Sequence, residues 1–308
     1  MRRVLNDYMR EHVKEKVVDQ GRQEDAIAHL MAFGGDDKIA SIDIPWSRRY
    51  VKARREGDVG GSTTRAVSRV GSLATIKREL NVLVAAMNHA RRWKRLDIVP
   101  SIEKPQEDRP DGDVQKPFFD KAVLHRMFTQ AAADAEDARL AYAAAETLEQ
   151  KRVAKKWLTV AVELHQWMRI AYYTAARRRS IEDLTAPQVS LLRRQITLAS
   201  PGKLRTKKRQ PIVPIFDEIV PDVTALLAKG THRLFETNDF YDPFIRLCVR
   251  LDLPEPHNPH MLRHSRATHL LQDGKDLWDV AKLLGDTVST VESVYGHHSP
   301  NELMRKLG

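Results

Sequence analysis

The sequence lacks the features that stabilise secreted proteins and anchor membrane proteins. Cys248 is its only cysteine, so no disulfide can form within the chain. No uncharged apolar stretch reaches the roughly 18 residues that a membrane-spanning helix needs. The first residues, MRRVLNDYMREHV, are charged and lack the apolar run of a signal peptide. These absences predict a cytoplasmic protein that does not act in a membrane.

Acidic residues are outnumbered by basic ones. The 51 Lys and Arg residues against 41 Asp and Glu residues give a formal net charge of +10. Such a surplus favours a polyanionic partner, because basic side chains displace the counterions condensed on phosphates. From composition alone, a merely basic soluble protein is the alternative.

One segment, residues 193–209, has no acidic residue at all. A run of charges of one sign repels itself, so a phosphate-gripping hairpin explains it better than a solvated turn does. Its seven basic residues are Arg193, Arg194, Lys203, Arg205, Lys207, Lys208 and Arg209.

Proline is concentrated in one charged stretch of the chain. Pro100, Pro105, Pro110 and Pro117 fall there, and proline disfavours both helix and strand. The stretch predicts a linker over residues 99–116. It would separate a first domain, residues 1–98, from a second, residues 117–308.

The first domain is predicted to be helical. In Leu73–Leu96, apolar residues recur at three- and four-residue spacing, which is typical of an amphipathic helix. The opposite face carries more positive than negative charge, which favours contact with phosphates over a merely solvated face. The DNA-contacting residues predicted on it are Lys77, Arg78, Arg91 and Arg92.

The second domain is predicted to be mostly helical with one small sheet. An Ala-rich helical region, Ala131–Ala154, precedes an apolar core helix, Trp157–Tyr173. The overall prediction is a mainly α protein with a small antiparallel sheet, in the α+β class. Three short strands are predicted at Gln188–Leu192, Gln195–Ala199 and Pro211–Ile215, followed by helices at Met261–Gln272, Leu277–Leu284 and Thr287–Tyr295.

The segment HMLRH places His260 and Arg263 three residues apart, on one face of a helix. A guanidinium can bind a phosphate through a fork of hydrogen bonds, while an imidazole handles a proton. An ordinary surface pair is the alternative for this spacing. A metal site using His260 and His264 is not predicted, because no zincin glutamate lies between them and no thiolate or carboxylate cluster completes it.

Several short segments occur in an order that resembles the catalytic domain of tyrosine recombinases, the phage-integrase family. The N-terminal stretch TIKRELNVLVAAMNHARRW also resembles the helical core-binding domain that precedes that catalytic domain. Each segment is weakly specific alone, but five in order with family spacing are strongly specific. The five are TAARRRSIEDL, RTKKRQPIVPI, HMLRH, LLGD and VYGHH.

The resemblance implies a role for each matching residue. Arg177 and Arg263 would bind the phosphate oxygens. Lys207, the best match for the hairpin lysine, would protonate the departing 5′-oxygen, and the alternatives Lys203 and Lys208 stay open because the hairpin is about one residue shorter than usual. His260 would accept or relay the proton of Tyr295, the nucleophile, whose phenolate the arginines would favour. The further DNA contacts of the hairpin would be Lys203, Arg205, Lys208 and Arg209.

Two residues depart from the family pattern. Asp286, nine residues before Tyr295, stands where the family has His or Trp. An ionised Asp donates no hydrogen bond and repels a phosphate oxygen, so this departure bears on activity. Ser180 stands where the family has Glu, which concerns packing around Arg177.

The activity that the resemblance implies is site-specific recombination of double-stranded DNA through a 3′-phosphotyrosyl intermediate. No cofactor and no metal are expected. The implied assembly is a tetramer on synapsed DNA and a monomer in solution, with an accessory directionality protein as a further partner. Two alternatives stay open: a DNA-binding relative with weak or no catalysis, and an enzyme like the type IB topoisomerases.

Overall fold

The structure is a computed structural model that describes residues 1–17, 20–59, 70–106, 116–199 and 210–299. The chain divides into two compact units, Met1–Asp111 and Gly112–Gly308. The predicted architecture, mainly helical with a small antiparallel sheet, is confirmed. The limits of the predicted linker stay a prediction. Within the described ranges, no helix is long and apolar enough to cross a membrane.

The first unit is built around the predicted amphipathic helix, which is confirmed as α5. The Ser72 hydroxyl accepts a hydrogen bond from the Thr75 amide at 3.2 Å, so it caps the start of this helix. Its apolar side chains, among them Ile76, Leu80 and Leu83, are fully buried against α1 and α3. The helices of this unit are α1 (Arg2–Tyr8), α2 (Lys14–Lys16), α3 (Gln20–Gly34), α4 (Ile44–Glu56) and α5 (Leu73–Arg92).

A buried ion pair joins α4 to α5. The Arg54 guanidinium donates to both carboxylate oxygens of Glu79, at 3.0 and 2.7 Å, and the Tyr50 hydroxyl donates to the same carboxylate at 2.7 Å. Because both charged groups are buried, removing either one would leave an uncompensated charge in the core. The pair therefore holds the two helices in one register.

The second unit begins with a long helical hairpin, α6 and α7. The Ala-rich region was predicted as one helical stretch, but a break at residues 145–147 interrupts it. Thr147 and Gln150 form a capping box there, with each side chain accepting the other residue's amide N–H. The core prediction for α7 is right at Trp167, which is fully buried, and wrong at Trp157, which is exposed. The helices of this unit are α6 (Lys121–Ala144), α7 (Leu148–Thr174), α8 (Arg178–Glu182), α9 (Val220–Ala228), α10 (Tyr241–Arg250), α11 (His260–Gln272), α12 (Leu277–Leu284) and α13 (Val288–Tyr295).

The small sheet has the three predicted strands in antiparallel order β1-β2-β3. Ile196 of the second strand pairs with Val213 of the third, and both side chains are fully buried in the core. The residues between these two strands include Lys203, Arg205, Lys207, Lys208 and Arg209, which lie outside the described residues. The strands are β1 (Val189–Ser190), β2 (Gln195–Thr197) and β3 (Ile212–Pro214).

Candidate active site

The end of α7 positions Arg177. Ala175 ends the helix in the left-handed conformation, with φ of 51°, and its side chain is fully buried. This turn redirects the chain, so that Arg177 becomes the extended residue before α8. Its guanidinium Nη2 donates to Asp286 Oδ1 at 2.8 Å. The predicted phosphate-binding residue is thus held at a sharp corner of the backbone.

Arg263, on α11, is buried, and its guanidinium donates three hydrogen bonds. Its Nη1 donates to the carbonyl oxygen of Ala175 at 2.7 Å, and its Nη2 to that of Leu284 at 2.9 Å. Its Nη2 also contacts Asp286 Oδ2. Burial and the neighbouring Arg177 charge lower the pKa of Arg263, while Asp286 opposes both effects. One guanidinium therefore ties α11 to the ends of α7 and α12.

Asp286 lies between the two arginines. Gly285 ends α12 in the left-handed conformation, with φ of 65°, and the Asp286 amide donates to the Ala281 carbonyl oxygen at 3.1 Å. This Schellman motif fixes the residue after the glycine. One carboxylate oxygen of Asp286 meets Arg177 and the other meets Arg263. The Asp286 carboxylate therefore already accepts hydrogen bonds from the two guanidinium groups that are predicted to bind the phosphate.

Tyr295 is the last residue of α13, and it is 6% exposed. Its hydroxyl oxygen lies 2.5 Å from Nδ1 of His264. Burial raises the pKa of Tyr295 to about 12, Arg263 acts in the opposite direction, and Asp286 raises it further. The expectation that arginines favour the phenolate is right for Arg263 alone, but burial outweighs that effect. The resting side chain is therefore a neutral phenol.

His264 also lies in the site, although the sequence pattern indicated it only as a candidate metal ligand. Burial lowers the pKa of His264 to about 4, and the nearby charges of His260, Arg263 and Lys116 lower it further. Its signal in the sequence was the four-residue spacing from His260, which places both rings on one face of α11. The two ring centroids lie 4.7 Å apart, edge to face, with His260 exposed.

The structure places the predicted residues Arg177, His260, Arg263, Asp286 and Tyr295 in two groups that share helix α11. Asp286 joins Arg177 to Arg263, and the residue after Arg263, His264, contacts both Tyr295 and His260. The remaining catalytic residue of the prediction, Lys207, lies outside the described residues. Lys77, Arg78, Arg91 and Arg92 are all exposed on α5 in the first unit. Across the described ranges, no group of three or more His, Cys, Asp or Glu side chains could hold a metal ion.

Residues 135–302 match the model of the phage integrase family. The integrase of Haemophilus phage HP1 is 31% identical over 138 residues, which are 44% of this chain and 37% of that protein. The tyrosine recombinase XerD of Bifidobacterium longum is 46% identical over 85 residues, or 28% of each chain. The chain thus spans less than half the length of these curated relatives.

Two solved structures share the fold along nearly the whole chain. The integrase of the Tn1549 transposon, in complex with transposon right-end DNA, superposes with a TM-score of 0.69 at 14% identity, covering 99% of this chain and 97% of that one. The XerH site-specific recombinase bound to a palindromic difH substrate superposes with a TM-score of 0.64 at 15% identity, covering 98% and 83%. At these identities the likeness concerns the fold.

Proposed function

The chain belongs to the phage integrase family, and we propose that it is a site-specific tyrosine recombinase that cleaves and rejoins duplex DNA through Tyr295. The observation that carries the proposal is that three distant parts of the chain meet: Arg177 shares Asp286 with Arg263 of α11, and the next residue of α11, His264, is hydrogen-bonded to Tyr295. A DNA-binding module has no need for a buried phenol that is hydrogen-bonded to a histidine.

The two arginines supply what attack on a phosphodiester requires. As the attacking oxygen approaches phosphorus, negative charge builds on the non-bridging oxygens, and fixed positive donors lower the barrier. Arg263 is fixed in place by two backbone carbonyl oxygens, so its orientation needs no DNA. The Arg177 side chain is 24% exposed and shares the Asp286 carboxylate with Arg263.

The proposed step exchanges one ester for another. The Tyr295 hydroxyl gives its proton to a histidine as its oxygen forms a bond to phosphorus. The bond from phosphorus to the 5′-oxygen breaks, and Lys207 gives that oxygen a proton. The products are a 3′-phosphotyrosyl link and a free 5′-hydroxyl. Attack by a 5′-hydroxyl from a partner strand reverses the chemistry and reseals the backbone, because the ester retains the energy of the broken bond.

We propose double-stranded DNA as the partner, contacted by the exposed basic residues of α5 and by Lys203, Arg205, Lys208 and Arg209. Exchange between two duplexes requires paired active sites, which supports a tetramer on synapsed DNA formed from monomers. An accessory directionality protein would bias integration against excision. The cytoplasm, on DNA, is the proposed place of work.

The proposed strand cleavage is tested by trapping the covalent protein–DNA adduct on a pool of DNA duplexes with many different sequences. The probe is a pool of nicked duplexes with a randomised centre, in which cleavage beside the nick releases a short fragment and prevents resealing. We expect a denaturant-resistant protein–DNA adduct, with the modified peptide mapped to Tyr295. DNA binding without any adduct would instead indicate a non-catalytic relative, and relaxation of supercoils without strand exchange would indicate a topoisomerase.

Replacing Asp286 is expected to speed cleavage of the duplex recovered by capture. Asp286→Asn and Asp286→His both remove the carboxylate that competes with phosphate for Arg177 and Arg263, and His adds a donor. We expect single-turnover cleavage about tenfold faster, equivalent to about 1.4 kcal/mol in the barrier. Asp279→Asn, an exposed site on α12, removes the same charge as a matched control. Slower cleavage by both Asp286 variants, with an unchanged fold, would place this carboxylate in the working site.

A further inference from the structure

The hydrogen bond between Tyr295 and His264 points to a second catalytic histidine. Resting on the proposed function, we propose that Nδ1 of His264 accepts the phenol proton of Tyr295 during strand cleavage. His264 is absent from the roles that the family resemblance implies. The proposal is based on direct contact, because Nδ1 of His264 lies 2.5 Å from the hydroxyl oxygen of Tyr295, which would attack phosphorus.

The protonation state of His264 allows it to accept a proton. Burial and the surrounding positive groups, His260, Arg263 and Lys116, hold the pKa of His264 near 4, so the ring is neutral at pH 7. A neutral imidazole carries one N–H, and the Tyr295 hydroxyl is a donor to Nδ1 only when that proton is on Nε2. The proposal therefore requires the Nε2–H tautomer.

Proton transfer from a phenol with a pKa of about 12 to this histidine is unfavourable in the resting protein. During attack the situation changes, because the phenol oxygen loses electron density to phosphorus as the new bond forms. The entering phosphate also brings negative charge beside the imidazolium, which stabilises it. The transfer is thus concerted with attack: the O–H bond breaks, its electron pair forms the O–P bond, and the proton moves to Nδ1.

The same proton is needed in the resealing step. When a 5′-hydroxyl attacks the phosphotyrosyl link, the Tyr295 oxygen becomes the leaving group, and the His264 imidazolium returns the proton to it. His260, whose ring meets the edge of His264 and is exposed, lies toward the open side of the pair. In this assignment His260 supports His264 and contacts the phosphate.

A second tyrosine–histidine pair, whose histidine also lies on α11 and whose tyrosine lies on α7, provides a matched control. The Tyr172 hydroxyl lies 2.9 Å from Nδ1 of His269, both groups are buried, and burial lowers the pKa of His269 to about 4 as well. That pair contacts neither Arg177 nor Asp286 in any hydrogen bond of the described residues. His269→Gln therefore removes an equivalent base from a phenol that attacks nothing.

The test is the pH dependence of single-turnover cleavage of the captured duplex. We expect His264→Ala and His264→Gln to cleave on the order of a hundredfold to ten-thousandfold more slowly than wild type. Their rates should rise tenfold per pH unit between about pH 6 and 9, since the phenol must now ionise before it attacks. Added imidazole should restore the Ala variant, which leaves a space, and not the Gln variant. His269→Gln should keep the wild-type rate and profile.

Each outcome has one meaning. A pH-independent loss below about tenfold in both His264 variants, with wild type active and melting temperatures unchanged, would overturn the role of His264. Absence of any adduct from wild type would overturn the proposed function instead. A measurement without DNA adds a separate check, since ring-nitrogen NMR at pH 7 should show His264 neutral with its proton on Nε2. A proton on Nδ1 would make His264 a donor to Tyr295 and would refute the assignment.

Discussion

Tyr295→Phe is expected to abolish covalent capture of DNA while leaving DNA affinity nearly unchanged. The substitution removes one buried hydroxyl and keeps the ring that packs against α11 and α12. Without that oxygen no ester to phosphorus can form, whereas the two arginines that we propose bind phosphate stay in place. The measurement compares adduct yield and equilibrium binding on the same nicked duplex.

Tyr172→Phe is the control for this variant, because it also removes a buried hydroxyl that is hydrogen-bonded to a histidine. It should capture DNA as wild type does. An adduct that persists in Tyr295→Phe and maps to Tyr8, Tyr172 or Tyr173 would move the nucleophile to another residue and dismantle the proposed site.

Arg177→Ala and Arg263→Ala are each expected to reduce cleavage far more than binding. Their guanidinium N–H groups would donate to phosphate oxygens whose negative charge increases in the transition state. Losing one arginine should therefore lower the cleavage rate on the order of a hundredfold or more. Arg263→Lys should fail too, because an ammonium cannot reproduce the forked contacts to two carbonyl oxygens and Asp286. Single-turnover cleavage and equilibrium binding on one duplex separate the two effects.

The two arginines should differ in their effect on stability. Removing Arg263 leaves the carbonyl oxygens of Ala175 and Leu284 without their donor, so its variants should melt at a lower temperature than Arg177→Ala. Equal losses in binding and in cleavage would show instead that both residues serve only to contact DNA.

Much of the fold follows from local patterns in the sequence. The apolar spacing of α5 predicts its buried face, because the pattern has the period of the helix backbone. The break between α6 and α7 was missed, since alanine favours helix on both sides and only the Thr147 capping box marks a new start. Capping depends on two side chains three residues apart, which composition does not reveal.

The sequence predicts which residues form the candidate site better than it predicts the contacts between them. The family spacing predicts His260 and Arg263 as site residues, but spacing does not reveal which histidine ring faces Tyr295, so it gives His264 no catalytic role. The adverse effect of the Asp286 charge on phosphate binding stays a prediction. Its pairing with two guanidinium groups depends on the end of α12 meeting the end of α7, a long-range contact that no local pattern encodes.

The position of Asp286 links the speed of the proposed enzyme to its resistance to heat. In the DNA-free protein one carboxylate balances two cations, one of them buried, and so helps to keep the ends of α7 and α12 together. A substitution that frees both cations for DNA also leaves them facing each other in the absence of DNA, where their repulsion opposes folding. Faster variants at this position should therefore arise together with a lower melting temperature, and secondary changes elsewhere in the second unit would be needed to recover it.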